Sequence, residues 1–225
     1  MGEGGAAATA PDVATNRDGE IERQWLAALQ RLTSTVAHEL RNALNGVAVN
    51  LEVVRSRAGR EGLAASALGS FAGSASDQLE QVIAMTDALM ALARAGQEPA
   101  AVGRTTDQVA ALLRPVLAAN GGGLELIVEA EGTTRAPVAA VRLFVAATLL
   151  AAMNAMRETA GTKGSGASLS CRVRPASGKE KSVELRVEGA FARTPTLDAT
   201  LETLAREHGV GVQPTERSIT STFPA

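Results

Sequence analysis

Apolar residues recur at steps of three and four through Leu29, Leu32, Val36, Leu40, Leu44, Val47, Leu51 and Val54. The pattern repeats through Leu68, Phe71, Ala75, Leu79, Val82, Met85, Leu89 and Leu92. Each series is the buried stripe of one amphipathic helix. The first helix is expected to start at Asp18, an N-cap residue followed by Glu20 and Glu22 where a helix N-terminus favours negative charge, and to run to about Arg57. Residues 57 to 62, Arg-Ala-Gly-Arg-Glu-Gly, supply the turn. The second helix ends near Arg94, before Ala95-Gly96-Gln97-Glu98-Pro99 breaks the pattern. A two-helix hairpin cannot bury stripes this wide by itself, so a four-helix bundle formed with a second copy of the chain, a homodimer, is expected.

The second half changes character. A helix from about Thr106 to Ala119 precedes Gly121-Gly122-Gly123 and a strand from Leu124 to Val128, and a long apolar helix follows from Val138 to Arg157. Period-two alternation marks strands at Ala167 to Arg174 and Ser182 to Glu188, with a hairpin turn at Pro175 to Glu180 between them. A last helix spans about Thr196 to His208. Val210 to Gln213 and Ser218 to Phe223 flank Pro214-Thr215-Glu216-Arg217, another hairpin signal. This order predicts a two-layer α/β sandwich. The fold class is thus α + α/β, with a disordered leader (1–17), a helical hairpin (18–95), a linker (96–105) and an α/β domain (106–225).

Composition narrows the function. The 225 residues are 45% hydrophobic, enough for a packed core in one or two domains. A formal charge of −2, with one Trp, four Phe and no Tyr, gives neither a basic surface nor stacking platforms, so nucleic acid is not an expected partner. The single cysteine, Cys171, cannot form an internal disulfide, which fits a reduced cytosolic compartment. The Gly-, Ala- and Thr-rich leader lacks the basic start and apolar centre of a signal peptide. No stretch reaches the ~18 uninterrupted apolar residues of a membrane span. A cytoplasmic protein without membrane contact is expected, receiving its signal from another protein or on a side chain.

The distinctive chemistry lies within the first helix. His38 is two residues past Val36, about 200° around the helix, so it leaves the buried stripe. Arg41, Asn42 and Asn45, three, four and seven positions on, share its face. The run His38-Glu39-Leu40-Arg41-Asn42, continuing to Leu44, resembles the H-box of bacterial sensor histidine kinases, His-Glu-Leu-Arg-(Asn/Thr)-Pro-Leu. It departs at Ala43, where the family usually carries proline, so a proline kink is not required. The resemblance implies that His38 is a phosphoacceptor. Neutral imidazole is a nucleophile near pH 7 and its phosphoramidate stays reactive. Glu39 is expected to accept a hydrogen bond from the other ring nitrogen and act as a base, Arg41 to offset phosphate charge, and Asn42 to orient water or phosphoryl oxygens. Ala43, Asn45, Gly46, Val49 and Asn50, small and uncharged, are expected to form an open surface onto which a response-regulator receiver domain packs.

Residues Thr106 to Phe223 resemble in element order the ATP-binding domain of histidine kinases and related ATPases. Their nucleotide chemistry departs from it. Asn154, in Leu149-Leu150-Ala151-Ala152-Met153-Asn154-Ala155, falls near the family's Mg²⁺- and phosphate-holding Asn, but the preceding polar positions are apolar here. At the end of the strand Val183, Leu185, Val187, the family's adenine-reading Asp position is Gly189, followed by Ala190-Phe191. Leu197 comes only eight positions after Gly189, little room for a nucleotide lid, and the second glycine box is missing. ATP binding is therefore expected to be lost, with Mg²⁺ supplied by the receiver partner and no metal held by this chain.

Other motifs have plainer readings. Gly161-Thr162-Lys163-Gly164-Ser165-Gly166 lacks the order of a phosphate loop and follows a helix, so it reads as a surface loop. His208, before Gly209, reads as a helix C-terminal residue. Two histidines and one cysteine offer no metal cluster and no Ser/His/Asp triad. The expected function is a histidine phosphotransferase of two-component phosphorelay signalling, acting through His38 on receiver domains. The alternatives are a divergent ATP-dependent kinase and a non-catalytic dimeric scaffold.

Overall fold

The computed structural model describes residues 10–58, 65–94, 100–157, 168–176 and 182–224, with side chains described from Gly19 onward in the first helix. Several sequence expectations lie outside these residues: the first part of the leader, most of the turn at 57–62, the break at 95–99, the glycine loop at 161–166 and most of the turn at 175–180.

Helix α1 runs from Ala10 to Ala58 and helix α2 from Ala65 to Ala93, packed together as a hairpin. The start of α1 corrects two expectations. Residues 10–17 are helical and not part of an irregular leader, and Asp18 lies inside the helix and does not cap it. Pro11 sits in the first turn, where its missing N–H removes no intrahelical bond.

The rest of the chain forms α3 (Val102–Ala119), β1 (Gly123–Val128), α4 (Val138–Arg157), β2 (Ser168–Pro175), β3 (Val183–Glu188), α5 (Ala199–Glu207), β4 (Gly211–Pro214) and β5 (Ser218–Phe223). Together they make the expected two-layer arrangement. The strands form one sheet in the order β1-β2-β3-β5-β4, with β1 parallel to β2 across the α4 crossover and the other neighbours antiparallel. Alternation explains the layers. Val183, Leu185 and Val187 of β3 are buried beneath the helices, while Glu184, Arg186 and Glu188 between them face outward. Outward Arg174 meets Glu184 directly across the β2–β3 pair, with guanidinium-to-carboxylate hydrogen bonds of 2.9 and 3.2 Å.

Helix α4 is apolar almost all round because it is covered on several sides, by β3 and β5 beneath it, by α3 beside it on the sheet and by α1. Residues Val138 to Met156 are long and apolar enough, by length and composition, to cross a bilayer, yet two-thirds of this stretch is buried in the protein core. Its Thr148 hydroxyl pairs with that of Ser221 on β5 at 2.7 Å, both side chains fully buried. The connection from β1 to α4 turns at Gly132, whose φ of +56° disfavours an L side chain. A Cβ there would also come within 2.4 Å of the Val183 side chain. Thr134 and Arg135, which follow, bond to the Pro224 carbonyl and tie the chain end to the sandwich.

Candidate phospho-acceptor site

Val36 is fully buried on α1, and two residues on His38 is exposed. Arg41, Asn42 and Asn45 are exposed on the same face. The helix continues without a break through Ala43, which keeps the backbone N–H that proline would remove. Glu39 is half-buried and, among the described residues, makes no hydrogen bond to the His38 ring. Consecutive helix positions do not face one another, which accounts for the separation.

The surface below His38 differs from the sequence expectation. Asn45 and Val49 are exposed, but Ala43 is buried at 7% exposure, and Gly46 and Asn50 face α2. A Cβ on Gly46 would come within 2.4 Å of the Gln78 side-chain amide, and Asn50 Nδ2 donates to Gln78 Oε1 at 3.2 Å. These positions were assigned outward because they are small or polar. The hairpin uses them for close helix contact instead.

The apolar stripes are covered unevenly. Leu32 and Val36 on α1 and Met85 and Leu92 on α2 are completely buried, whereas Leu44, Leu51, Leu79 and Ile83 are each about half exposed. The buried part lies where α3 and α4 cover the hairpin. Farther along, α1 and α2 have only each other, and the expected burial of Leu44, Leu51 and Leu79 is not met within one chain.

On the sandwich, Asn154 is exposed near the end of α4, between the buried Met153 and Ala155. Gly189 follows β3, its N–H donating to the Arg217 carbonyl at 3.2 Å. A Cβ at Gly189 would lie 2.9 Å from both the Phe191 ring and the Leu169 side chain, so a larger residue requires one of them to move. The Ala192 N–H is tied to the Ala155 carbonyl at 3.0 Å, which brings the segment after Phe191 over the end of α4. An open cleft of about 660 Å³ is lined by Gly189 to Thr194 with Glu216 and Arg217, and Asn154 is not in its wall.

Among the described residues, no three His, Cys, Asp or Glu side chains come together to hold a metal. Cys171 is fully buried on β2, and burial pushes its thiol pKa up to about 12 against a smaller opposing effect of the Arg114 charge. It is a core residue, not a nucleophile. His208 forms the C-terminal boundary of α5 through its backbone, but its ring Nε2 is buried without a hydrogen-bond partner, so the ring itself caps nothing through that atom. Sequence reasoning missed Gln78, and it missed Arg142 of α4, whose guanidinium donates to two carbonyls at the end of α2. A signal for Arg142 exists in the sequence: the last turn of α2 contains no basic residue of its own.

A helical hairpin carrying an exposed histidine is followed by an α/β sandwich. Residues 28–98 match the His Kinase A (phospho-acceptor) domain, a span that contains the whole His38 to Leu44 motif and all of α2. The H-box resemblance is borne out by this match. No curated protein matches the chain. Among solved structures, it is similar to the histidine kinase domain of the blue-light activated histidine kinase from Erythrobacter litoralis EL346, at 15% identity and a TM-score of 0.43, over 87% of this chain and 94% of that one. It is also similar to the Acinetobacter baumannii histidine kinase AdeS, at 14% identity and a TM-score of 0.41, over 83% and 97% of the respective chains.

Proposed function

We propose that the protein is a histidine phosphotransferase that relays phosphoryl groups through His38 to and from response-regulator receiver domains. The observation that carries this reading is a contrast. His38 is exposed on a hairpin that matches a phospho-acceptor domain, while the position for an adenine-reading carboxylate is Gly189, which has no side chain and where an added Cβ would meet the Phe191 ring.

In the transfer, a lone pair on a His38 ring nitrogen attacks the phosphorus of a receiver aspartyl phosphate. The P–N bond forms as the P–O bond to the aspartate breaks, and the carboxylate leaves with the bonding pair. The phosphorylated ring carries positive charge until its other nitrogen loses a proton. Glu39, next in the chain, is assigned to receive it, after a side-chain rotation or through water. Arg41 offsets charge on the incoming phosphoryl group, and Asn42 and Asn45 offer amide donors to its oxygens. Mg²⁺ belongs to the receiver's acidic pocket, and ATP has no part in the cycle. Asn154 is the one residue left that resembles a nucleotide ligand.

The protein acts as a cytoplasmic homodimer in this reading, with Leu44, Leu51, Leu79 and Ile83 covered by the same surface of a second copy. A labelled phospho-receiver incubated with the protein is expected to yield acid-labile phosphohistidine that disappears in His38→Ala. Equal labelling of the two proteins sinks the proposal. The phospho-acceptor match also suits an ATP-driven kinase, and autophosphorylation from labelled ATP alone would select that reading instead. Full biological activity in His38→Ala would leave only a scaffold.

A further inference from the structure

One apolar core runs through both halves of the molecule. Ile21, Trp25, Ala28, Leu32 and Val36 of α1, none more than 6% exposed, belong to the same buried cluster as Leu143, Val145 and Leu149 of α4. All five lie before His38 in the chain, and α1 packs directly on α4. A shallow cleft of about 260 Å³ marks the seam, with Trp25 and Leu29 on one side and Val138, Ala139 and Arg142 on the other.

The seam also has a polar tie. At the end of α2, Arg142 Nη1 donates to the Arg94 carbonyl at 2.6 Å and Nη2 to the Ala91 carbonyl at 3.2 Å. Carbonyls at a helix C-terminus have no intrahelical donor, and a cation there opposes the negative end of the helix dipole. The last turn of α2 has no basic residue, and Arg142 of the sandwich brings a cation to the carbonyls at this helix end, beside Arg94, which follows the last helical residue. Partial burial lowers the Arg142 pKa, so the guanidinium is drawn out of water into the seam and depends on those carbonyls.

We propose that Arg142 is a latch that clamps the α/β sandwich onto the end of α2 and the N-terminal half of α1. The two units move as one body while the latch holds. Displacing the Ile21 to Leu29 segment of α1 opens the same seam. The latch is independent of whether His38 relays phosphate.

Trp25 is the only tryptophan in the chain and reports on the seam directly. In the full-length protein, Arg142→Met keeps the apolar stem and removes every donor. Trp25 emission is expected to shift to the red and acrylamide quenching to rise several-fold, with amide-exchange protection of β2, β3 and β5 retained. Arg142→Lys, which keeps the charge, should fall between wild type and Arg142→Met. Wild-type emission and quenching in Arg142→Met overturns the latch, and so does loss of sheet protection, because Arg142 would then serve the sandwich itself. Leu29→Glu tests the seam from α1, outside the sandwich. The same red shift with an intact sheet is expected, and unchanged Trp25 emission counts against the proposal.

Discussion

Asn50 and Gln78 join the two helices of the hairpin, the Asn50 amide donating to Gln78 Oε1 at 3.2 Å, and the space that Gln78 occupies exists because residue 46 is glycine. A polar contact between otherwise apolar helix faces fixes their register, since sliding either helix leaves two amides unpaired. It thereby holds α2 in a defined position beside the helix that presents His38.

Gly46→Ala sets two effects against each other. Alanine in a helix interior gains about 1 kcal/mol over glycine. The new Cβ, 2.4 Å from the Gln78 amide, displaces that flexible side chain and removes a bond worth about 1 kcal/mol. The net change in unfolding free energy should be small. With Gln78→Ala already present, Gly46→Ala should stabilise by about 1 kcal/mol. Denaturant unfolding of the four proteins in the cycle measures the coupling, and simple additivity would show that Gln78 does not respond to residue 46.

Thr148 and Ser221 form a second buried polar pair, between α4 and the sheet. Thr148→Val or Ser221→Ala alone leaves one hydroxyl buried without its partner and should cost about 1–3 kcal/mol. The double variant should recover most of that loss, because neither hydroxyl then remains. Thermal melts of the two single variants and the double variant test this. A double variant as unstable as the sum of the singles would mean that packing, not the hydroxyl pair, dominates.

Periodicity made most of the fold legible. Val138–Arg157 was bounded correctly, and the alternation of Val183, Leu185 and Val187 gave both the strand and its buried face. The start of α1 was missed because Asp18 has the chemistry of a cap, while helix formation back to Ala10 has no apolar stripe to announce it. The exposed face of His38, Arg41, Asn42 and Asn45 followed from angle alone. The roles of Gly46, Asn50 and Arg142 did not, because each depends on a partner distant in sequence: Gln78 for the first two, the end of α2 for the third. Leu44 and Leu51 are half exposed in the single chain, since periodicity identifies a stripe and the expected second copy is what would cover it.

If Glu39 takes the proton from the phosphorylated ring, Glu39→Gln should slow transfer from a phospho-receiver by roughly 10²-fold, the usual contribution of a positioned general base. Helical content should not change, because the amide is nearly isosteric. Single-turnover transfer rates decide the matter, and a wild-type rate in Glu39→Gln would remove this carboxylate from the chemistry while leaving His38 as acceptor.

Cys171 gives the fold an alkaline liability. Burial raises its pKa from 9.0 to about 12, so the folded protein holds the thiol proton more tightly than the unfolded chain. The resulting stabilisation is fully present below pH 9 and is lost as pH rises from 9 toward 12, since only the unfolded chain ionises readily there. The slope approaches about 1.4 kcal/mol per pH unit at most. Cys171→Ala removes this dependence and costs some packing at neutral pH. The stability advantage of wild type over Cys171→Ala should therefore shrink between pH 9 and 11, with all other alkaline titrations cancelling in the difference. Urea midpoints measured for both proteins across that range provide the test. Parallel curves would mean that the thiol ionises as easily in the folded protein as in the unfolded one, and that β2 opens to solvent at Cys171 without global unfolding.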